Sequence, residues 1–502
     1  MRATVFSLML AVSFCCTAGA QSSSLSATNT RSLSLEESIR MALEKNLDLQ
    51  MAKIDVRGAR AALLGAYAYY EPVFDTTAQY SQSTEPSGSV DPNTGLPEPP
   101  GERSTHLLTS GLVGALPWGM TYDIGGDVNY FTRESVIDDT RPGQYTLDTG
   151  IRVTQPLLRN LWTDASRTQI KLNQADVRIS EMALRTRIHT VVRDVMLDYY
   201  ELVFARENVM VKEKALELAQ RLASENRKRV EVGTLAPLDE KQAEAQAATA
   251  RADLILALQQ LGTQENLLIN RITDNFEQWQ GMRVVPTDNL VAVPQSYDLS
   301  GSWVSALTFR PDFNEMKEEL ERQGLQVRLA YNQLFPRLDL VGSYGRQGVD
   351  KHFSPALAQV RDELLPRWSA GVVLSVPLGN RAARGNYGQA TALRDRLGVQ
   401  VKQLHQNILV QVEDAVGVAR GNFQRVGATR EARLAAEAAY DAEVKKLENG
   451  KSTSFNVLSL QNDLTTARSQ EIRALADYNK ALAELYFNEG TILERQRIAV
   501  EK

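Results

Sequence analysis

Cysteine is almost absent from this 502-residue chain, and the two that occur, Cys15 and Cys16, are adjacent near the N-terminus. Beyond that segment no disulfide, thiol nucleophile or cysteine metal site is possible. Histidine is nearly as scarce: His106, His189, His352 and His405 are scattered, with no metal-ligand spacing. After the first twenty residues there is no run of ~20 apolar residues, which excludes a further transmembrane helix and leaves strands as the only way to span a bilayer. Long Lys/Arg blocks are missing too, and with a formal net charge of -5 nucleic acid is not an expected partner. The glycines of Leu112-Val113-Gly114 and Gly125-Gly126 lie in strand-like runs, away from any phosphate-binding turn. No nucleophile has a plausible base. The reading is therefore of a chain with no catalytic residues, no metal and no cofactor.

What is present begins with Arg2, an apolar run from Val5 to Phe14, and Ala18-Gly19-Ala20. This order predicts a secretory signal over 1–20, cut before Gln21. Phe14, ahead of the cysteine pair, stands where a lipidation signal has a small residue. Export to an oxidising compartment without disulfides suits a chain stabilised by packing and oligomerisation.

The chain also repeats itself. Gly233 and Gly450 close two long helical runs 217 residues apart, and Ala250-Arg251 meets Ala467-Arg468 at the same offset. An offset of 264 relates Asp48 to Asp312, Pro72 to Pro336, Asp75 to Asp339 and Tyr80 to Tyr344. A repeat this long, with a strand region inside each copy, is a duplicated domain.

In the first copy (21–272) Ser34-Leu35-Glu36-Glu37 starts a helix expected to run unbroken to about Tyr70, where Pro72 ends it. Strands follow over Phe74–Gln82, Leu107–Leu116, Met120–Tyr130 and Tyr145–Gln155, with polar loops from Glu85 to Glu102 and from Arg133 to Gln144. In the third of these, Tyr122, Ile124, Val128 and Tyr130 alternate with Asp123, Gly125, Asp127 and Asn129, which fits a membrane barrel strand or a half-buried sheet. A proline-free run from about Asp164 to Arg229 carries a stripe of Leu184, Ile188, Val191, Val195, Tyr199 and Leu202. At 1.5 Å per residue that is on the order of 100 Å of helix. An alanine-rich return helix reaches Ile272. A linker over 273–300, with Pro286 and Pro294, is expected to wrap outside the helices. The second copy (301–493) repeats the plan: a helix from about Ser302 to Leu334, strands within 338–376 separated by a loop from Gln347 to Pro366, and a hairpin over about 386–486. A tail spans 494–502. The fold class is mainly α with a β portion.

Together the export signal, the two helix–strands–hairpin copies, Arg229-Val230-Glu231-Val232-Gly233-Thr234, Gln242-Ala243-Glu244-Ala245-Gln246 with Leu460-Gln461-Asn462, and Gln155-Pro156-Leu157-Leu158-Arg159 resemble the TolC family of outer-membrane efflux proteins. The resemblance covers about Leu33 to Leu493. It implies a homotrimer that combines a helical tunnel across the periplasm with a shared transmembrane β-barrel in outer-membrane lipid. It also implies a passive exit duct for a tripartite efflux pump or type I secretion system, working with a periplasmic adaptor (membrane fusion) protein and an inner-membrane transporter. Two tips, Val232-Gly233-Thr234 and Asn449-Gly450-Lys451, would dock the adaptor; the second departs from the family's Val-Gly-Thr. Where the family's prototype carries two carboxylates three residues apart at the tunnel constriction, this chain has Asn456 and Ser459. The matching position of the first copy is Asp239, which alternatively caps its helix after Pro237. Family members bring four strands per chain. The additional Leu107–Tyr130 hairpin either enlarges the barrel to about eighteen strands or forms an extracellular flap. The rival readings are an exported coiled-coil stalk without channel activity and an exported hydrolase.

Overall fold

The computed structural model describes residues 29–85, 90, 94–96, 101–134 and 143–498. The expected export signal and most of both polar loops lie outside the described residues. In chain order the structure contains β1 (Asn29–Leu33), α1 (Leu35–Lys45), α2 (Leu47–Ala66), β2 (Val73–Glu85), β3 (Gly101–Ala115), β4 (Thr121–Glu134) and β5 (Gln144–Pro156). These lead into the long α3 (Ala165–Glu231) and its return α4 (Pro237–Ile272). Then follow β6 (Met282–Pro286), α5 (Leu299–Phe309), α6 (Pro311–Asn332), β7 (Arg337–Asp350), α7 (Phe353–Arg361), β8 (Pro366–Ser375), α8 (Arg381–Glu448), α9 (Ser454–Asn488) and the short α10 (Ile492–Arg495).

The two hairpins are nearly equal in length, 67 and 36 residues in α3 and α4 against 68 and 35 in α8 and α9. Their stability comes from side-chain packing, since helices of this length without a partner face are polar on most sides. At the end near the strands the helices lie in the order α2, α3, α6, α8, and towards the tips in the order α4, α3, α9, α8. Thus α3 and α8 run the full height, and each level is four helices wide. The main core gathers Ile188, Val191, Val195, Met196, Tyr199 and Leu202 of α3 with Leu268 and Ile272 of α4 and Leu33 of β1. It includes most of the stripe read from the sequence.

Two expectations fail at the same place in each copy. The single helix expected from Leu35 to Tyr70 is broken at Asn46, and the one expected from Ser302 to Leu334 is broken at Arg310. Both residues leave the helix with φ near -60° and ψ near 120° (-60°, 126° and -63°, 119°). The second break follows from Pro311, which pre-sets the first helical position and pushes its predecessor into extended backbone. The first achieves the same turn with a side chain: Asn46 accepts from Leu49 N (3.2 Å) and donates to Arg271 O (2.9 Å).

The linker is more ordered than a wrapping loop. β6 pairs in parallel with β1, Asn29 opposite Met282 through Leu33 opposite Pro286. Asp288 then accepts from Leu35 N and the Tyr199 hydroxyl, both at 2.8 Å, while Tyr478 donates to Val293 O at 2.6 Å. The segment is a strap across the outside of α3 and α9. The loop expected from Gln347 to Pro366 also contains structure: the end of strand β7, through Asp350, and all of α7.

Six strands form one antiparallel sheet in the order β2-β3-β4-β5-β7-β8. The additional hairpin is β3 and β4, seated between β2 and β5. The flap alternative therefore fails, because these strands complete hydrogen-bonded ladders on both sides.

Candidate functional site: the hairpin tips and the strand wall

The first tip is a helix end made by one glycine. Gly233 has φ +75°, its N–H donates to Val230 O (2.9 Å), and Thr234 N donates to Arg229 O (2.8 Å). The second tip repeats the pattern with Gly450 at φ +69°, Gly450 N to Leu447 O (3.1 Å) and Lys451 N to Lys446 O (2.8 Å). These paired bonds satisfy carbonyls that a helix end leaves open, and the left-handed residue makes glycine the natural choice. Val232, Gly233 and Thr234, like Asn449, Gly450 and Lys451, are all exposed. The tips differ in chemistry. The first presents Val232 and Leu238; the second presents Asn449, Lys451 and Phe455. Beside the second, Ser452 Oγ (2.5 Å) and Lys446 Nζ (2.9 Å) donate to Glu443 and hold its carboxyl below the usual range.

Asp239 stands in the first turn of α4. The cap position there belongs to Ala236, which has no side-chain cap bond, so the reading of Asp239 as a cap gives way. Its carboxylate sits instead near the partial positive charge of a helix N-terminus. Asn456 and Ser459 are exposed on the first turns of α9. Asp463, unnoticed in the sequence, lies one turn further along the same exposed face and supplies a carboxylate where Asn456 and Ser459 offer none.

The structure brings these positions together through a residue that sequence reasoning missed. Asn226 of α3 is 1 % exposed. Its Nδ2 donates to Asp239 O (3.3 Å), and its Oδ1 accepts from Ser454 Oγ (3.1 Å). One buried amide thus ties the first turn of α4 to the first residue of α9. Around it Leu222, Ala243, Val457 and Leu458 form a small apolar cluster. Further up, the α3–α9 seam is polar: Gln461 to Ala215 O (3.1 Å), Ser469 to Asn208 (3.0 Å), Arg473 to Glu201 (2.8 Å), and Lys480 to Glu201. Gln246 and Asn462 bridge α4 and α9 at 2.5 Å. A lone asparagine inside a helix leaves no sequence signal.

At the other end of the molecule the sheet has two chemically distinct faces. One carries Asp75, Thr77, Asp123, Asp127, Asp148 and Arg152, aligned by register. On it Arg367 and Gln347 donate to Asp148 at 3.0 and 3.3 Å. In the middle of this face Gly111, Gly125, Gly150 and Gly345 stand directly opposite one another across four strands. A Cβ on Gly125 would lie 2.8 Å from the Cα of Gly111, and one on Gly150 2.9 Å from that of Gly345. The backbones close in along this row, and the sheet is concave there, as a barrel wall must be on its lumen side. The opposite face carries Phe74, Leu112, Ile124, Ile151, Tyr344 and Trp368 in one register row.

An apolar outer face, a polar inner face and strands of 10 to 15 residues are what a membrane barrel requires, with about 9–11 residues needed to cross the hydrocarbon. Residues 121–272 and 303–491 match the sequence pattern of the outer membrane efflux proteins. The chain belongs to that family. As a member it is an outer-membrane channel, the exit duct of a tripartite efflux system, and not an enzyme; the long helices are its periplasmic extension. Its relatives include the outer membrane efflux protein BepC of Brucella suis, 22% identical over 331 residues (65% of this chain, 68% of that protein). The cobalt-zinc-cadmium resistance protein CzcC of Cupriavidus metallidurans is 25% identical over 357 residues (69% of this chain, 78% of that protein). Among solved structures, the CmeC outer membrane channel of Campylobacter jejuni has the same fold, with a TM-score of 0.67 at 16% identity over 91% of this chain and 86% of its own.

Proposed function

We propose that three copies of this chain close into one duct, gated at the hairpin tips and docked there by a periplasmic adaptor that an inner-membrane transporter drives. The observation that carries this reading is the pair of unsatisfied edges. Among the described residues β2 and β8 each have one neighbouring strand, and every residue of β8 is exposed. Open strand edges are very costly in lipid, so another copy must pair with them. The helices repeat the situation. Ile255 and Leu256 of α4 and Val399, Val410 and Val418 of α8 lie exposed on the two outer helices of the same layer. A heterologous contact of this kind, repeated by rotation, closes a ring. With six strands per chain, three copies supply about eighteen strands and a ring about twelve helices wide.

The gate lies where Asp239, Asn456, Ser459 and Asp463 gather beneath the tips. Asn226 holds the closed state by tying α4 to α9; opening swings the second hairpin, α8 with α9, away from α3 along its polar seam. Asp239 and Asp463 give the opening negative potential, which favours cations. The first tip, Val232-Gly233-Thr234, offers the apolar end of the adaptor site, and Asn449-Gly450-Lys451 the polar end. The direct test places cysteines at Asp239 and Asn456 and records potassium chloride conductance in planar bilayers. The oxidised, cross-linked assembly is expected to stay at the low closed level under conditions that open the reduced one. Equal conductance with confirmed cross-links would sink the gating scheme.

A further inference from the structure

We infer that α7 is a membrane-interface helix whose apolar stripe contacts the acyl chains of the outer leaflet beside the barrel wall. The inference rests on the placement of the sheet in the outer membrane. β7 is 14 residues long, more than the ~9–11 that cross the hydrocarbon. Counted from Arg337 at the helix-proximal end, the span is used up near Arg346, and the strand continues to Asp350. The chain then folds back on itself, and β8 begins at Pro366, opposite Arg346. α7 fills the return.

It does so on the apolar side of the sheet. Ala356 and Val360 are buried against Leu147, with Val128 and Tyr145 packed beside them. Leu147 and Val128 are opposite one another and share the parity of Ile151 and Ile124, the lipid-side face. Gly348 allows this approach, because a Cβ there would meet Ala356 O at 2.0 Å. The Gln359 amide clamps the helix to the strand end, donating to Val349 O (3.1 Å) and accepting from Val349 N (3.0 Å).

Among the described residues nothing covers the rest of the helix's apolar arc. Phe353 and Leu357 follow at helical spacing beside Val360, and Leu364 and Leu365 continue in the connection to β8, all four exposed. Ser354 and Arg361 follow next around the helix beyond Leu357, as its polar flank. Two observations point to lipid. The exposed stripe is continuous with the apolar outer face of the sheet. Phe353 also extends a row of rings, Tyr80–His106–Tyr130–Tyr145, whose successive centroids are 4.9, 5.9 and 4.4 Å apart, with Tyr145 to Phe353 at 5.9 Å. Aromatic rings gather where a barrel wall meets the bilayer surface. A neighbouring copy would add at the edge of β8, whereas α7 packs over β5 and β7.

The test uses the full chain with Cys15 and Cys16 replaced by serine and a fluorophore on Leu357→Cys, Leu364→Cys, Ser354→Cys or the mid-wall control Ile151→Cys. Each is reconstituted in phosphatidylcholine vesicles with or without brominated acyl chains. The labels at Leu357→Cys and Leu364→Cys are expected to lose most of their emission to the brominated lipid and little to aqueous iodide, with Ser354→Cys reversed. Quenching of the two leucine positions by iodide alone, or by neither agent as under a covering protein chain, overturns the inference. A control at Ile151→Cys that brominated lipid leaves bright would instead overturn the placement of the sheet in the membrane.

Discussion

Gly233 and Gly450 hold backbone that other residues adopt only under strain, and among the described residues no atom beyond the adjoining chain lies within 4 Å of where a Cβ would stand at either. Substitution to alanine therefore tests conformation alone. Gly233→Ala is expected to cost about 1 kcal/mol, read as a lower thermal midpoint of the extracted protein. Gly262→Ala, inside α4 with equally open space, should stabilise by a similar amount; equal effects of the two would refute the tip assignment. His189 makes a second prediction at this scale. It is 8 % exposed, and burial lowers its pKa from 6.5 to about 4, with Arg185 adding to the shift and Asp312 opposing it. The folded state thus prefers the neutral ring. At pH above 6.5 both states are neutral; as pH falls from 6.5 towards 4 the unfolded chain binds the proton first, and stability drops by up to about 3 kcal/mol. His189→Gln should flatten that part of the stability-against-pH curve. An unchanged slope would show that the ring is protonated in the folded protein.

Between elements, the seam joining the two hairpins contrasts with the packing inside the upper core. Asn226, Gln461, Ser469, Arg473 and Lys480 bond across it, whereas α3 and α4 meet through Leu261, Leu268 and Ile272. Outside the small Leu222–Val457–Leu458 cluster beside Asn226, these polar contacts can be exchanged for water as the seam parts, which suits a moving joint; a wholly apolar one would lose its stabilisation. Asn226→Ala leaves the Ser454 hydroxyl and the Asp239 carbonyl without their partner, a loss of about 1–3 kcal/mol from the closed state. Higher basal conductance in planar bilayers, with wild-type assembly, is the expected result. Conductance at the wild-type level would remove Asn226 from the gate.

Much of this scale was legible from local chemistry. The full-height helices show as proline-free runs with an apolar stripe, and the tips as glycine after a basic last turn. The breaks at Asn46 and Arg310 are hidden because apolar spacing continues across them, although Pro311 is a recognised first-turn residue. In the sequence α7 reads as loop because Pro355 and its polar neighbours interrupt the apolar residues, and because its partners Leu147 and Gly348 come from two different strands. β1 and β6 are five residues each, too short for period-two patterning, and exist through each other. At the proposed gate, Asp239 is legible by matching the copies, while Asp463 and Asn226 need the packing to show which faces are open and which are shared.

For the whole molecule, the single chain is unfinished. The six-stranded curved sheet, whose edge strands have one neighbour each among the described residues, and the four-helix layer with apolar outer helices would be parts of a closed wall in the proposed assembly. The duplication supplies two hairpins of nearly equal length, so the proposed trimer would have a near-sixfold tunnel, and the unlike tips would make it threefold at its mouth. In that trimer the additional β3–β4 hairpin would widen the barrel relative to a four-stranded chain without changing the tunnel. The measurement that bears most directly on this account is a projection of the detergent-extracted assembly by electron cryo-microscopy. Threefold symmetry, with about twelve helices around the pore at the tunnel level and about eighteen strands at the barrel level, is the predicted result. A single chain with its edges uncovered, or a ring whose β3 and β4 stand outside the barrel wall, would contradict it.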